Sequence, residues 1–280
     1  MRTPLCLLGG AGIHDRVAHG HDAYRFVEIG SLTKVFTGTV LARLAAEGGL
    51  GLDTPLEECL EEVPRGSGIT LRHLAEHTSG LPRLPPGTGG LPDDPYAPFT
   101  EPALRELLRD LDRVATGRLG GSEYSNLGYA VLGHALVTAT GRSYQQLVDT
   151  YVLLPLGLEA GAVTACPPES RRLVPRDLFG RPRSLWTLTG PILPAGGLWS
   201  TCRTLAHVVV ALLVERGLGD PAPSWQRSSP IRWHDGATRG SSVLAAAHDD
   251  GEWILVHRLG SVAGTNRIAK RSILAAGWLR

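Results

Sequence analysis

At 280 residues the chain can bury a substantial core as one large domain or two closely joined ones, with no need of a disulfide or metal staple. Lys and Arg total 28 against 27 Asp and Glu, and a net charge of +1 offers no basic face to nucleic acid or to an anionic membrane, so a small-molecule or peptide substrate is the expected partner. Cys6, Cys59, Cys166 and Cys202 are scattered with no C-x-x-C pair, so they read as buried thiols rather than a zinc ribbon or redox motif; neither metal nor cofactor is expected. Pro4 to Leu8 is too short for a secretory h-region and no run approaches the ~18 apolar residues of a membrane span, so a cytoplasmic location is expected.

Residues 1 to 30 alternate short apolar runs with Gly and polar turns and read as two or three weak strands, the best of them Phe26 to Ile29. From Ser31 the period changes: Phe36, Val40, Leu41 and Leu44 recur at helical spacing until Gly48-Gly49, which places Ser31 at a strand-to-helix junction. Between 53 and 195 the pattern gives helices over roughly 70–77, 101–114, 126–140 and 143–153. The Pro- and Gly-rich stretch 82–98 reads as a long surface loop, expected to lie over a site. A helix is expected from Gly196-Gly197 to about Leu213. Strands over 241–247 and 253–259 then flank the Asp-Gly hairpin signal of Asp250-Gly251, and a terminal helix over about 266–278 follows. Strands at both ends of the chain imply one sheet assembled from both termini. The expected lobes are 1–52 with 196–280 for the sheet and 53–195 for the helices.

Three short patterns carry chemistry. In Ser31-Leu32-Thr33-Lys34 the residues three apart share a helix face, so the hydroxyl and the amine can meet, and the helix N-terminus favours negative charge developing there. Only Lys34 and Lys270 among the basic residues are lysine, an arginine-heavy usage that fits a GC-rich genome. Arginine cannot shed its proton, whereas a buried lysine, ordinarily titrating near ~10.4, is brought down toward neutrality. Tyr124-Ser125-Asn126 ends a Gly-rich loop before a helix; a loop tyrosine can shuttle a proton, and Asn126 can donate its amide to a substrate carbonyl. In His234-Asp235-Gly236-Ala237, the glycine lets a substrate backbone approach a strand edge. There Ala237 N–H would complete an oxyanion hole with Ser31 N–H, and His234 would offer a donor or positive charge to a substrate carboxylate.

With these residues in this order, the chain resembles the serine β-lactamase, penicillin-binding protein and esterase superfamily, in its class C-like branch. The S-x-x-K of Ser31 and Lys34, the Y-x-N of Tyr124 and Asn126, and the H-x-G of His234 and Gly236 carry the resemblance. The segment from Leu71 to Pro82, that from Tyr124 to Leu136 and that from Pro194 to Ser200 look like further stretches of the branch. The resemblance implies an α/β (α+β) fold of the β-lactamase/transpeptidase type, an antiparallel sheet flanked by helices with an inserted helical lobe. It also implies a serine hydrolase acting on an amide or ester (a β-lactam, a D-amino-acid peptide or a small ester) through a Ser31 acyl-enzyme. Lys34 and Tyr124 would move protons, and Asn126, His234, Gly236 and Ala237 would bind substrate. The S-D-N and K-T-G set of class A enzymes is absent. The region before Ser31 and the stretch between Gly197 and His234 are short for the branch, which would alter a wall of the site.

Three other readings compete. The same fold would serve an acyltransferase of secondary metabolism, in which a second substrate rather than water takes the acyl group, or a catalytically inactive binding or sensor protein. His73-Leu74-Ala75-Glu76-His77 fits the H-x-x-E-H zinc pattern, but Thr78-Ser79-Gly80 stops that helix at once and no third ligand follows, so His77 bonding at a helix end is the better expectation.

Overall fold

The computed structural model describes residues 2–88, 94–177 and 179–278. Nine strands, β1 (Leu5–Gly9), β2 (Arg16–Ala18), β3 (Val27–Glu28), β4 (Val163–Thr164), β5 (Trp199–Ser200), β6 (Gln226–Ser228), β7 (Ile231–Thr238), β8 (Ser241–His248) and β9 (Trp253–Arg258), form two sheets among the described residues. The larger runs β2-β1-β9-β8-β7-β6 with every pair antiparallel, and the smaller runs β3-β5-β4. The N-terminal strand β1 lies beside the last strand β9, with Leu5 opposite Arg258 and Gly9 opposite Ile254, so both ends of the chain do build one sheet.

Both faces of that sheet are covered, which explains why Leu5–Gly9 is apolar throughout instead of alternating. Leu5, Leu7, Ile254 and Val256 point to one side, where they pack with Ala269, Ile273 and Trp278 of the C-terminal segment. Cys6, Leu8, Val243, Ala245 and Leu255 point to the other, into a core that continues without a break through Phe36, Val40 and Leu41 to Leu132, Leu136 and Leu147. At ~1.5–3 kcal/mol for each fully buried large apolar side chain, this face supplies the main stabilisation of the fold.

Helix α1, Thr33–Ala46, passes through the middle of that core and is buried on every side over its first nine residues, Lys34 included. Helix Asn126–Thr140 lies against it and runs as the sequence pattern predicts, from the Ser125 cap (Gly128 N–H donates to Ser125 Oγ at 2.7 Å) to Gly141 in the left-handed region. Gly133 of this helix faces Pro194: a Cβ there would stand 2.1 Å from the proline Cγ, so only glycine lets the helix and the 193–196 turn approach this closely.

Several boundaries differ from expectation. The helix expected over 101–114 breaks at Asp110, and that over 143–153 ends its regular turns at Val148 and continues in wider and then tighter turns to Leu156. After Gly197 the chain first adds β5; the helix begins at Cys202, capped by Thr201. The C-terminal helix spans Val262–Ala276 under a Ser261 cap. Of the loop expected over 82–98, residues 89–93 lie outside the described residues.

Candidate active site

Ser31 sits in a single tight turn, Gly30–Leu32, that feeds α1. Gly30 takes φ +50, and a Cβ on it would lie 2.6 Å from the Ala237 backbone nitrogen; a Cβ on Gly236 would lie 2.0 Å from Ile29 O and 3.0 Å from Ser31 N. Two glycines thus permit β7 to press against the turn that carries the nucleophile. Beyond Trp233, β7 pairs only with β8 among the described strands, because β6 begins at Gln226, opposite Trp233, and residues 234–238 therefore have no strand on their other side.

Lys34 is fully buried, with Nζ 3.2 Å from Ser31 Oγ, 2.8 Å from Asn126 Oδ1 and 2.6 Å from the Ala195 carbonyl. Asn126 Oδ1 and Ala195 O can only accept, so they take two N–H groups of the amine. What remains at Nζ faces the Ser31 hydroxyl, and on an un-ionised amine that is the lone pair. Burial drives Lys34 well below the usual lysine range, with Arg83 adding to the fall and Asp235 opposing it. The faces of Tyr124 and Tyr129, 4.9 and 5.4 Å from Nζ, favour the cation by only ~1–2 kcal/mol, too little to reverse full desolvation.

Tyr124 hydrogen-bonds with Ser31, and burial pushes its phenol up to about 12, so it holds its proton at neutral pH. Two neighbouring groups are therefore pushed in opposite senses, the amine toward accepting a proton and the phenol toward keeping one. His77 stacks on Tyr124 at 4.4 Å between ring centroids and accepts the Ser125 N–H at Nδ1 (3.1 Å), while its own carbonyl accepts from Glu123 N–H. Burial holds His77 at about 3, hence neutral. His73 Nδ1 accepts the Thr70 N–H in a capping box. The H-x-x-E-H residues thus serve a helix cap and the Tyr124 loop, and among the described residues they join no cluster of possible metal ligands.

Ser31, Tyr124, Asn126, Gly236 and Ala237 line a cavity of about 480 Å³ together with Arg83, Tyr96, Trp186 and Asp235. Asn126 differs from its expected use: Oδ1 accepts from Lys34 and Nδ2 donates to Tyr96 OH at 2.7 Å, so the amide is already engaged in holding the lysine. His234 differs more. Only 1% exposed and absent from the cavity lining, it is held at about 3 chiefly by burial, so it carries no positive charge for a substrate carboxylate. Along β7 side chains alternate, and it is Asp235 that faces the cavity. Arg83, Tyr96 and Trp186 went unassigned in the sequence because nothing local marks them. Tyr96 reaches the site as the end of the 82–98 loop, fastened where Asp94 Oδ2 accepts from Thr187 N (2.8 Å) and Oγ1 (2.6 Å).

The beta-lactamase family pattern matches residues 10–274. The chain belongs to the beta-lactamase family. It is 34% identical over 182 residues to the D-alanyl-D-alanine-carboxypeptidase/endopeptidase AmpH of Escherichia coli K12, covering 62% of this chain and 46% of that one. To the esterase EstB of Burkholderia gladioli it is 35% identical over 152 residues, covering 50% and 39%. These matches span less than half the length of the curated relatives. The fold is that of a beta-lactamase/D-alanine carboxypeptidase structure from Yersinia pestis, at TM-score 0.76 and 21% identity over 99% of this chain and 93% of that one. No helix among the described residues is long and apolar enough to cross a membrane.

Proposed function

We propose that this beta-lactamase family member is a serine hydrolase that cleaves an ester or amide through an acyl-enzyme on Ser31. Lys34 Nζ takes the Ser31 proton as Oγ attacks the carbonyl carbon, and the oxyanion is received by the Ser31 and Ala237 N–H groups. The proton returns to the leaving alcohol or amine by way of Tyr124, and water then attacks the acyl-enzyme with Lys34 again as base, so that acid is released and Ser31 restored. The observation that carries this reading is the buried amine whose two N–H groups are taken by Asn126 and Ala195 beside the Ser31 hydroxyl. Tyr124 and Lys34 are the remaining catalytic groups; Asn126 and His77 are positioning residues.

Substrate choice follows from Asp235. Its carboxylate shares the cavity with Ser31. A substrate carboxylate ~5 Å away would be repelled by about 3 kcal/mol at an effective dielectric constant of ~20, and an ammonium favoured by as much. Beside β7 the cavity therefore suits esters or amides bearing a cationic amine near the scissile carbonyl, in preference to β-lactams or peptides whose carboxylate would fall there, while Arg83 in the same lining offsets part of that preference. The test is a panel of p-nitrophenyl esters, amino-acid esters and amides of both hands, and a β-lactam, followed by turnover and intact mass. A Ser31-borne acyl adduct is expected, with ~10⁴-fold or greater loss of turnover in Ser31→Ala. Turnover undiminished in that variant would end the proposal, and an adduct discharged only by an added alcohol or amine would move it to acyl transfer.

A further inference from the structure

Away from this cavity, the fold brings together three side chains that the sequence scatters across both halves of the chain. Cys6 on β1, Cys202 at the start of the Cys202–Val209 helix and His21 in the loop after β2 are all buried, and one donor atom from each lies within 4.8 Å of the other two. Both cysteines are free thiols with no solvent exposure. His21 is 8% exposed, and its Nδ1 has no hydrogen-bond partner among the described residues. A buried imidazole nitrogen without a partner calls for an explanation.

The hydrogen bonds behind His21 determine what that nitrogen is. The Glu28 carbonyl can only accept, and Ser241 Oγ reaches it at 3.5 Å. Donating there, Ser241 accepts from His257 Nε2–H at 2.9 Å, which leaves His257 Nδ1 as a lone pair. That lone pair accepts His21 Nε2–H at 2.8 Å. In that tautomer His21 Nδ1 carries a lone pair, and no hydrogen-bond partner meets it among the described residues. Burial keeps both rings neutral, lowering His21 to about 4 against the opposing influence of Asp22, and lowering His257 well below its usual range. An imidazole that donates its far N–H to a fixed partner while its near nitrogen stays free is the arrangement found behind metal-ligating histidines.

We propose that Cys6, Cys202 and His21 Nδ1 form a buried site for one Zn²⁺ ion. Two thiolates and a neutral imidazole bring the charge of the ion to zero, the condition under which an ion is tolerated in an apolar interior, and the donors are those zinc prefers. With three donors from the protein, a tetrahedral ion would take water as its fourth ligand. Binding displaces both thiol protons to solvent, so two S–Zn bonds replace two S–H bonds and one N–Zn bond forms from the imidazole lone pair, with no change of oxidation state. The ion would tie β1 and the 19–22 loop to the helix at Cys202, a structural staple separate from the Ser31 cavity.

The test uses the full-length protein, reduced and stripped with a chelator, then loaded with one equivalent of ZnCl₂ or CoCl₂ and desalted. Expected are about one Zn²⁺ per chain by elemental analysis, a cobalt form with thiolate-to-metal charge-transfer absorption in the near ultraviolet, and a Tm raised by several degrees in the zinc form. Cys6→Ser and Cys202→Ser are expected to lose stoichiometric binding and the absorption, and Cys166→Ser to keep both. Retention of less than a tenth of an equivalent by the wild type, cobalt bound without thiolate absorption, binding that survives Cys202→Ser, or a Cys6–Cys202 disulfide in the protein as purified (2 Da lighter by intact mass) would each overturn the assignment. The wild-type cobalt spectrum keeps the proposal exposed to refutation even if a cysteine variant fails to fold.

Discussion

Replacement of Lys34 by arginine separates charge from basicity at the point where the mechanism needs basicity. Arginine keeps a cation and a donor fork but, titrating above ~12, cannot accept the Ser31 proton. Three contacts fix the expected size of the effect. The amine now bonds Asn126 Oδ1 at 2.8 Å and Ala195 O at 2.6 Å and faces Ser31 Oγ at 3.2 Å. A guanidinium could satisfy the first two acceptors, but in a cation no lone pair is left for the third. Loss of general-base catalysis alone removes ~10²–10⁴ in rate, and a permanent cation in a site that burial keeps neutral adds displacement of the Ser31 turn. We expect kcat/KM on an activated ester to fall ~10³–10⁴-fold, equivalent to about 4–5.5 kcal/mol of transition-state stabilisation. Stopped-flow release of p-nitrophenol, intact mass for the acyl-enzyme and circular dichroism for the fold are the assays. Should Lys34→Arg stay within tenfold of wild type with its fold intact, lysine is not the proton acceptor and the argument from the buried amine fails. A lost fold would be met with Lys34→Met, which is close in shape and also lacks a base.

Two further outcomes follow from charges the cavity and core hold. Asp235→Asn removes the carboxylate beside Ser31; kcat/KM should fall ~10–100-fold for amine-bearing esters and rise for carboxylate-bearing ones, and equal change for both classes would remove Asp235 from substrate choice. Glu28 is buried with its carboxylate accepting from Thr238 Oγ1 at 2.7 Å, and burial raises it from 4.5 to about 7. Between those values the folded state binds the extra proton, so stability falls as pH rises from about 4.5 to 7, by an amount on the order of 3 kcal/mol. Glu28→Gln should flatten that slope, giving a Tm above wild type at pH 8 and near it at pH 4.5; a parallel pair of Tm curves would contradict the buried-acid account.

Much of the site was legible because it is local. Ser31 and Lys34 face one another through helix geometry that any S-x-x-K at a helix start imposes, and the Ser125 cap with Gly141 fixed both ends of the helix after Tyr124. The strands 241–248 and 253–258 announced themselves through the Asp-Gly turn between them. The role expected of His234 was a misjudgement of facing: the motif was recognised, but period-2 alternation on β7 turns the His234 side chain inward and gives the cavity to the side chains of Asp235 and Ala237, with Gly236 lining it through its backbone. Strand parity was visible in the sequence and could have assigned Asp235 in advance.

By itself the sequence determined the things that depend on neighbours a few residues apart: helix starts and ends, the hairpin, the pairing of hydroxyl and amine. Tertiary structure decided everything that depends on what lies across the fold. Whether Lys34 is charged rests on the surrounding core and on an Ala195 carbonyl far along the chain. The same holds for the silent burial of His234, the arrival of Arg83 and Tyr96 in the cavity, and the meeting of Cys6 with Cys202. Desolvation and long-range contact set ionisation and partnership, and neither has a period that a linear pattern can carry.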